Sequence, residues 1–174
     1  LINNYQKPII LYKIKTSGVH AGASASQPAN WGLSSWGMNH GAKRNSGSAW
    51  AAVHSGEHWP MIWKIAPSTR VSGAYTILTT KANDDSGQVA DWGLSSWHAH
   101  GAVRNSGSSR VATHSGDYWL MDWNIEESTR TPGTYTIKTT HHEGGAQPAG
   151  WGLAAWMKHG GKRNDQSSWT YTHA

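Results

Sequence analysis

Cysteine is absent from this 174-residue chain, so neither a disulfide framework nor a thiolate zinc site holds it together. Phenylalanine is absent too, although there are 12 Trp and 6 Tyr. Where the chain places an aromatic ring, that ring carries a polar handle, which suits half-wet surfaces. Charged residues make up only 14% and glycines number 20, a composition of turns and loops rather than of long solvated helices. Basic residues form no continuous run, which excludes a basic arm. The net charge of +5 and the pI near 9.6 permit an acidic partner without demanding one. No apolar run is long enough for a membrane-spanning helix, and no membrane insertion is expected. Leu1 opens the chain without a charged and then apolar leader, so the expectation is a mature, soluble, secreted chain. The Asn-x-Ser/Thr sequon is missing, as are the Gly-x-Ser-x-Gly elbow, the Walker loop and His-Glu-x-x-His.

What is present is a repeat. Trp-Gly-Leu-Ser-Ser-Trp at residues 31–36 returns unchanged at 92–97, and at 151–156 with Ala-Ala for Ser-Ser. Gln27, Gln88 and Gln147 open a Gln-x-Ala-x lead-in to each copy. His-Gly-x-x-Arg-Asn follows each, at 40–45, 100–105 and 159–164. One supersecondary unit written three times is a repeat architecture. The copies run 7–73, 74–133 and 134–174 within one domain of 1–174, and residues 1–6 are a candidate to complete the third.

Each full copy reads as four short strands. Tyr12, Tyr75 and Tyr135 stand two residues before Ile14, Ile77 and Ile137, a period of two with β-branched and aromatic residues that predicts a first strand. The Trp-Gly-Leu-x-x-Trp signature is the second, with Trp31 and Leu33 on one face and Trp36 on the other. A long hairpin loop then carries His-Gly-x-x-Arg-Asn. The third strand ends at His54, His114 and His173, and holds Trp50, Arg110 and Trp169 at one shared position. The fourth is Trp-x-Met-x-Trp-x-Ile from Trp59 and Trp119, whose alternation assigns Trp59, Trp63, Trp119 and Trp123 to the core. The third copy stops before its fourth strand. Residues 1–6 would fill that place, bringing the ends together and closing the sheet on itself.

This organisation looks like a β-trefoil with pseudo-threefold symmetry, with the β-prism as the alternative all-β fold. The chain resembles β-trefoil lectins, in particular the small sponge-type lectins of marine invertebrates. It carries neither the ricin-type Gln-x-Trp nor the mussel-type His-Pro-x-Gly-Gly, so no sugar-contacting residue is transferred from those families. The resemblance implies a non-catalytic, multivalent carbohydrate-binding protein of the hemagglutinin kind, without cofactor, whose partners are cell-surface glycans or free oligosaccharides. N-acetylhexosamines, chitooligosaccharides and galactose-type sugars are the expected ligands, and a homo-oligomer is allowed.

The residues supply a reason of their own. A pyranose has an apolar C–H face and a rim of hydroxyls; an indole covers the first, while His, Asn and Arg answer the second. A scaffold needs only its apolar positions to repeat, yet here the polar loop repeats beside the Trp. Three carbohydrate sites are therefore expected: Trp36, His40, Arg44 and Asn45; Trp97, His100, Arg104 and Asn105; Trp156, His159, Arg163 and Asn164. The structural alternative is that the Arg pins the loop and the Trp caps the barrel. His54, His114 and His173 are expected to meet near the pseudo-threefold axis, although no companion carboxylate argues for a metal there. An enzyme would need two placed carboxylates, and no acidic residue recurs in all three copies. Asp84, Asp85 or Asp91 would have to serve in a single degenerate copy. A nucleic-acid module would need a clustered basic stripe beside its Trp residues, and none is visible.

Overall fold

The computed structural model describes residues 10–18, 29–37, 41–58, 61–80, 90–140, 148–155 and 161–174, without the side chains of residues 99, 100 and 119. Within these the chain is all-β. The first copy supplies β1 (Leu11–Lys13), β2 (Gly32–Ser35), β3 (Lys43–Asn45), β4 (Ser48–His54) and β5 (Ile62–Pro67). The second supplies β6 (Tyr75–Thr79), β7 (Gly93–Ser96), β8 (Val103–Asn105), β9 (Ser108–His114) and β10 (Asp122–Glu127). The third supplies β11 (Tyr135–Thr139), β12 (Gly152–Ala155), β13 (Lys162–Asn164) and β14 (Ser167–His173). The helical turns that lie wholly within the described residues are a π turn at His98–Ala102 and a 3-10 turn at Trp119–Met121.

A full copy thus has five strands where the pattern predicted four. The addition is β3, with its counterparts β8 and β13, inside what reads as a hairpin loop. Lys-Arg-Asn has no apolar alternation to announce a strand. The neighbouring long strand imposes the pairing, Lys43 opposite Ala49 and Asn45 opposite Ser48. The fourth strands also begin later than expected, at Ile62 and Asp122.

The long strands β4, β9 and β14 organise everything else. The first half of β4 pairs with the second half of β9, the first half of β9 with the second half of β14, and the first half of β14 with the second half of β4. Each second half also pairs with the signature strand of its own copy, β2, β7 or β12. Around them runs an antiparallel succession β1-β5-β6-β10-β11. The strand expected from residues 1–6 lies outside the described residues, and with it the meeting of the chain ends.

The core sits between these two systems. Leu33, Leu94, Val53 and Val111 line it with Ala51 and Ala155, and Ile14, Ile65, Ile125, Ile137 and Leu153 pack against them. Trp63 and Trp123 are each 0% exposed, as the alternation predicted. Their indole N–H groups donate to the carbonyls of Leu33 and Leu94 at 2.9 and 2.8 Å, so these rings are buried without an unpaired donor. Trp59 lies outside the described residues and the side chain of Trp119 is not described. Trp92 is buried, and Trp31 is half-buried against the core.

The copies meet through one repeated contact. Ser35 and Thr113 share a buried hydrogen bond of 2.8 Å, and Ser96 and Thr172 one of 2.9 Å. At the third interface the same two positions hold Ala155 and Val53, both in the apolar cluster. Hydroxyl faces hydroxyl or methyl faces methyl, so no polar atom is orphaned there.

The glycine of the signature also has a steric reason. A Cβ at Gly32 would lie 2.4 Å from Met61 Sδ, and one at Gly93 would lie 2.2 Å from Met121 Sδ. At Gly152 no described atom lies within 4 Å. Gly93→Ala should therefore lower unfolding free energy by about 1–3 kcal/mol through overpacking, with Gly32→Ala behaving alike and Gly152→Ala costing clearly less. Urea unfolding of the three variants checks this; equal losses would mean that another large side chain fills the third place. Trp123→Ala should cost about 3–5 kcal/mol, as large core truncations do.

Candidate ligand-binding sites

In the first two copies the second Trp of the signature sits at the edge of the long-strand system, half-buried. Its indole N–H is turned inward: Trp36 Nε1 donates to Ser34 Oγ at 2.9 Å and Trp97 Nε1 to Ser95 Oγ at 2.6 Å. Each serine in turn donates to a carbonyl of the adjacent long strand, Ala52 or Ala112. The ring orientation is thus fixed from behind. The third copy has Ala154 at this position and lacks that acceptor.

Two aromatic neighbours frame each described ring. Trp36 meets His54 at 5.5 Å and His58 at 5.4 Å between centroids, and those two imidazoles meet edge to face at 4.7 Å. Trp97 meets His114 at 4.8 Å and Tyr118 at 5.3 Å, and His114 meets Tyr118 edge to face at 5.1 Å. His54 Nδ1 contacts the Ser55 carbonyl at 2.6 Å, and His114 Nδ1 contacts that of Ser115. A carbonyl only accepts, so Nδ1 carries the proton, and Nε2 of the neutral ring is an acceptor. His58 and Tyr118 arrive from the loop that leads to the fourth strand. Sequence reading missed both, since His and Tyr at one position in two copies do not look like a motif.

His54 and His114 therefore do not meet at the axis, as was expected. They end their strands at the outer rim, in separate aromatic clusters. The axis belongs to Trp50, Arg110 and Trp169, because there the three long strands exchange partners. The Arg110 guanidinium lies 5.0 Å from the Trp50 ring and 4.6 Å from that of Trp169. Arg44 stacks over Trp50 at 5.2 Å and Arg163 over Trp169 at 5.2 Å. Burial draws the Arg44 and Arg163 guanidinium groups below their ordinary basicity.

The repeated arginines reach across copy boundaries. Arg44 lies 5.8 Å from the ring of Trp97, in the second copy, and Arg104 lies 4.7 Å from the ring of Tyr171, in the third. Trp97 thus has beside it the Arg of the copy before. His40, Trp156 and His159 lie outside the described residues, and the His100 side chain is not described.

The asparagines have a local task. The Oδ1 atoms of Asn45, Asn105 and Asn164 accept from the backbone N–H two residues on, at 2.9, 3.0 and 2.9 Å. They also accept from Ser48, Ser108 and Ser167 hydroxyls, at 2.8, 2.8 and 2.7 Å. This ties the turn between the short strand and the long one. The acidic candidates for catalysis are also accounted for where described. Asp91 has φ 58, Asn30 has φ 61 and Gly150 has φ 75, so all three hold one left-handed turn position before the signature. Asp, Asn and Gly are the residues that tolerate it. Asp84 and Asp85 lie outside the described residues. Glu57, at the rim, is bonded by Lys13 and Lys15, which pull its pKa down to about 2; this tie holds at neutral pH and is lost only as the pH falls through that value.

No protein-family model matches the chain, and no curated protein sequence matches it.

Asn105→Ala should cost about 1 kcal/mol of stability by removing two hydrogen bonds at the turn. Calorimetric melting of the variant checks this; unchanged melting would mean that the turn does not depend on Asn105.

Proposed function

We propose that this chain is a non-catalytic, multivalent carbohydrate-binding protein, a secreted lectin of β-trefoil architecture similar to sponge-type lectins. The five-strand antiparallel succession and the three mutually paired long strands support the trefoil reading over the prism. The observation that carries the function is the aromatic box built twice, Trp36 with His54 and His58, and Trp97 with His114 and Tyr118. A core needs no imidazole acceptor beside a half-buried indole whose N–H is satisfied from behind. A pyranose does need such a surface: its C–H face lies on a ring while its hydroxyls donate to Nε2 and accept from the tyrosine or arginine. At Trp97 the Arg44 guanidinium completes the set from the neighbouring copy.

The ligands are N-acetylhexosamine, chitooligosaccharide or galactose-type glycans, on cell surfaces or free. Shallow sites of this kind bind weakly one at a time, and their value comes from linkage.

Calorimetry with a chitooligosaccharide, and with a galactoside, tests this. Trp36→Ala and Trp97→Ala should each remove about one site per chain, and together with Trp156→Ala should abolish agglutination as avidity is lost. Arg44→Ala should weaken the Trp97 site and leave the Trp36 site alone. A folded triple variant that still agglutinates would place the sugar elsewhere.

A further inference from the structure

The pseudo-threefold axis presents one position from each copy, and the chain does not fill it three times alike. Trp50 and Trp169 flank Arg110. Three indoles would crowd an axis; one planar guanidinium slides between two rings and is held by both faces. The position two residues further along is equally uneven, since Ala52 and Ala112 correspond to Tyr171. Tyr171 stands directly opposite Arg110 in the pairing of β14 with β9. It also carries Arg104 on its ring. The boundary of the second and third copies therefore differs from the other two.

At that boundary lies an open cleft of about 340 Å³, lined by Trp50, Arg104, Arg110, Tyr171 and Val103 with Gly101 and Ala102. Two guanidinium groups and three apolar walls share it. Among the described residues no carboxylate and no carbonyl accepts from the Arg110 guanidinium. The ring faces satisfy its π surface but not its N–H edge, which is the edge that matches a planar or tetrahedral oxyanion. The only acidic groups of β8, β9, β13 and β14 and their joining turns is Asp165, which is exposed and pairs with Lys162 at 2.6 Å. Nothing of negative charge on these elements competes for the cleft.

We propose that this cleft is a separate site for the sulfate or carboxylate of an acidic saccharide, with the oxyanion on the N–H edge of Arg110, Arg104 as the second cation, and the sugar ring against Tyr171 and Val103. The choice of a saccharide rests on the lectin reading; the oxyanion site does not. It is a single site per chain, unlike the repeated aromatic boxes, because only one of three boundaries carries Arg110 with Tyr171. It would give the protein a preference for acidic glycans that neutral-sugar binding does not predict.

The probes are a sulfated disaccharide, a hexuronic-acid disaccharide, their neutral N-acetylated counterpart, inorganic sulfate, and a short single-stranded oligonucleotide, titrated into the full chain. Indole N–H resonances and calorimetry report binding. The acidic disaccharides should bind at one site, with inorganic sulfate competing. Arg110→Ala and Arg104→Ala should each weaken that binding by about tenfold, since each removes one charge-assisted contact. Arg110→Lys keeps the charge and loses the fork, and should fall between. The neutral disaccharide should be unaffected in both Arg110 variants. Arg104→Ala leaves the stack of Trp50, Arg110 and Trp169 intact, so it keeps the test open if an Arg110 variant does not fold. Acidic disaccharides that bind no more tightly than the neutral one, or that bind Arg104→Ala as they bind the parent, overturn the proposal. An oligonucleotide that binds this cleft more tightly than either acidic disaccharide also overturns it, in favour of stacked bases and phosphate. If acidic sugars bind here while neutral sugars bind nowhere, the cleft stands and the lectin reading of the aromatic boxes falls.

Discussion

Each long strand is shared between two neighbours. Its first half pairs with the next copy and its second half with the previous one, so β4, β9 and β14 lock into a cycle with no free edge among them. An unpaired edge is a hazard for any sheet, and here the cycle removes it where the copies meet. The same exchange of partners fixes the other positions. One face of the central strands turns to the core, through Ala51, Val53 and Val111. The other gathers Trp50, Arg110 and Trp169 at the axis. The strands β4 and β9 end at the rim, where His54 and His114 meet Trp36 and Trp97.

A threefold arrangement of one chain need not be uniform, and the departures come in matched sets. A buried hydroxyl pair becomes a methyl pair at the third interface. A left-handed turn position takes Asn, Asp or Gly and nothing else. Cation–π contacts of about 0.5–2 kcal/mol each hold the axis through alternating rings and guanidinium groups rather than through three equal residues. Asp122 shows the same logic across a copy boundary: it replaces the Ile62 of the first copy, is 0% exposed, and is held by Arg70 Nε at 2.9 Å and Ser68 Oγ at 2.7 Å. An unpaired carboxylate there would be costly, and the partners come from the turn between β5 and β6.

The two aromatic boxes and the axial cleft use the same residue types for different ends. In the Trp97 box the Arg44 guanidinium stands beside a ring already braced from behind. At the axis the rings brace the Arg110 guanidinium by its faces. Arginine serves both because its charge is planar: it stacks with its face and donates with its edge.

How much of this was legible beforehand depended on distance along the chain. Period-two alternation placed Trp63, Trp123 and Leu33 inside, because alternation is a property of consecutive residues. Repetition announced three equivalent units and singled out the signature tryptophans. The short strand at Lys43–Asn45 was not legible, since its pairing is imposed by a neighbour and not by its own pattern. Nor was the role of the repeated Asn, which reads equally well as a ligand group or a turn lock until its partners are known. The sequence by itself determined an all-β repeat, its core face and the residues repeated around it. Only the tertiary structure decided that Arg44 reaches Trp97, that the histidines leave the axis, and that Arg110 lies between two rings. Those contacts join residues of different copies, and no local pattern encodes which half of a strand meets which neighbour.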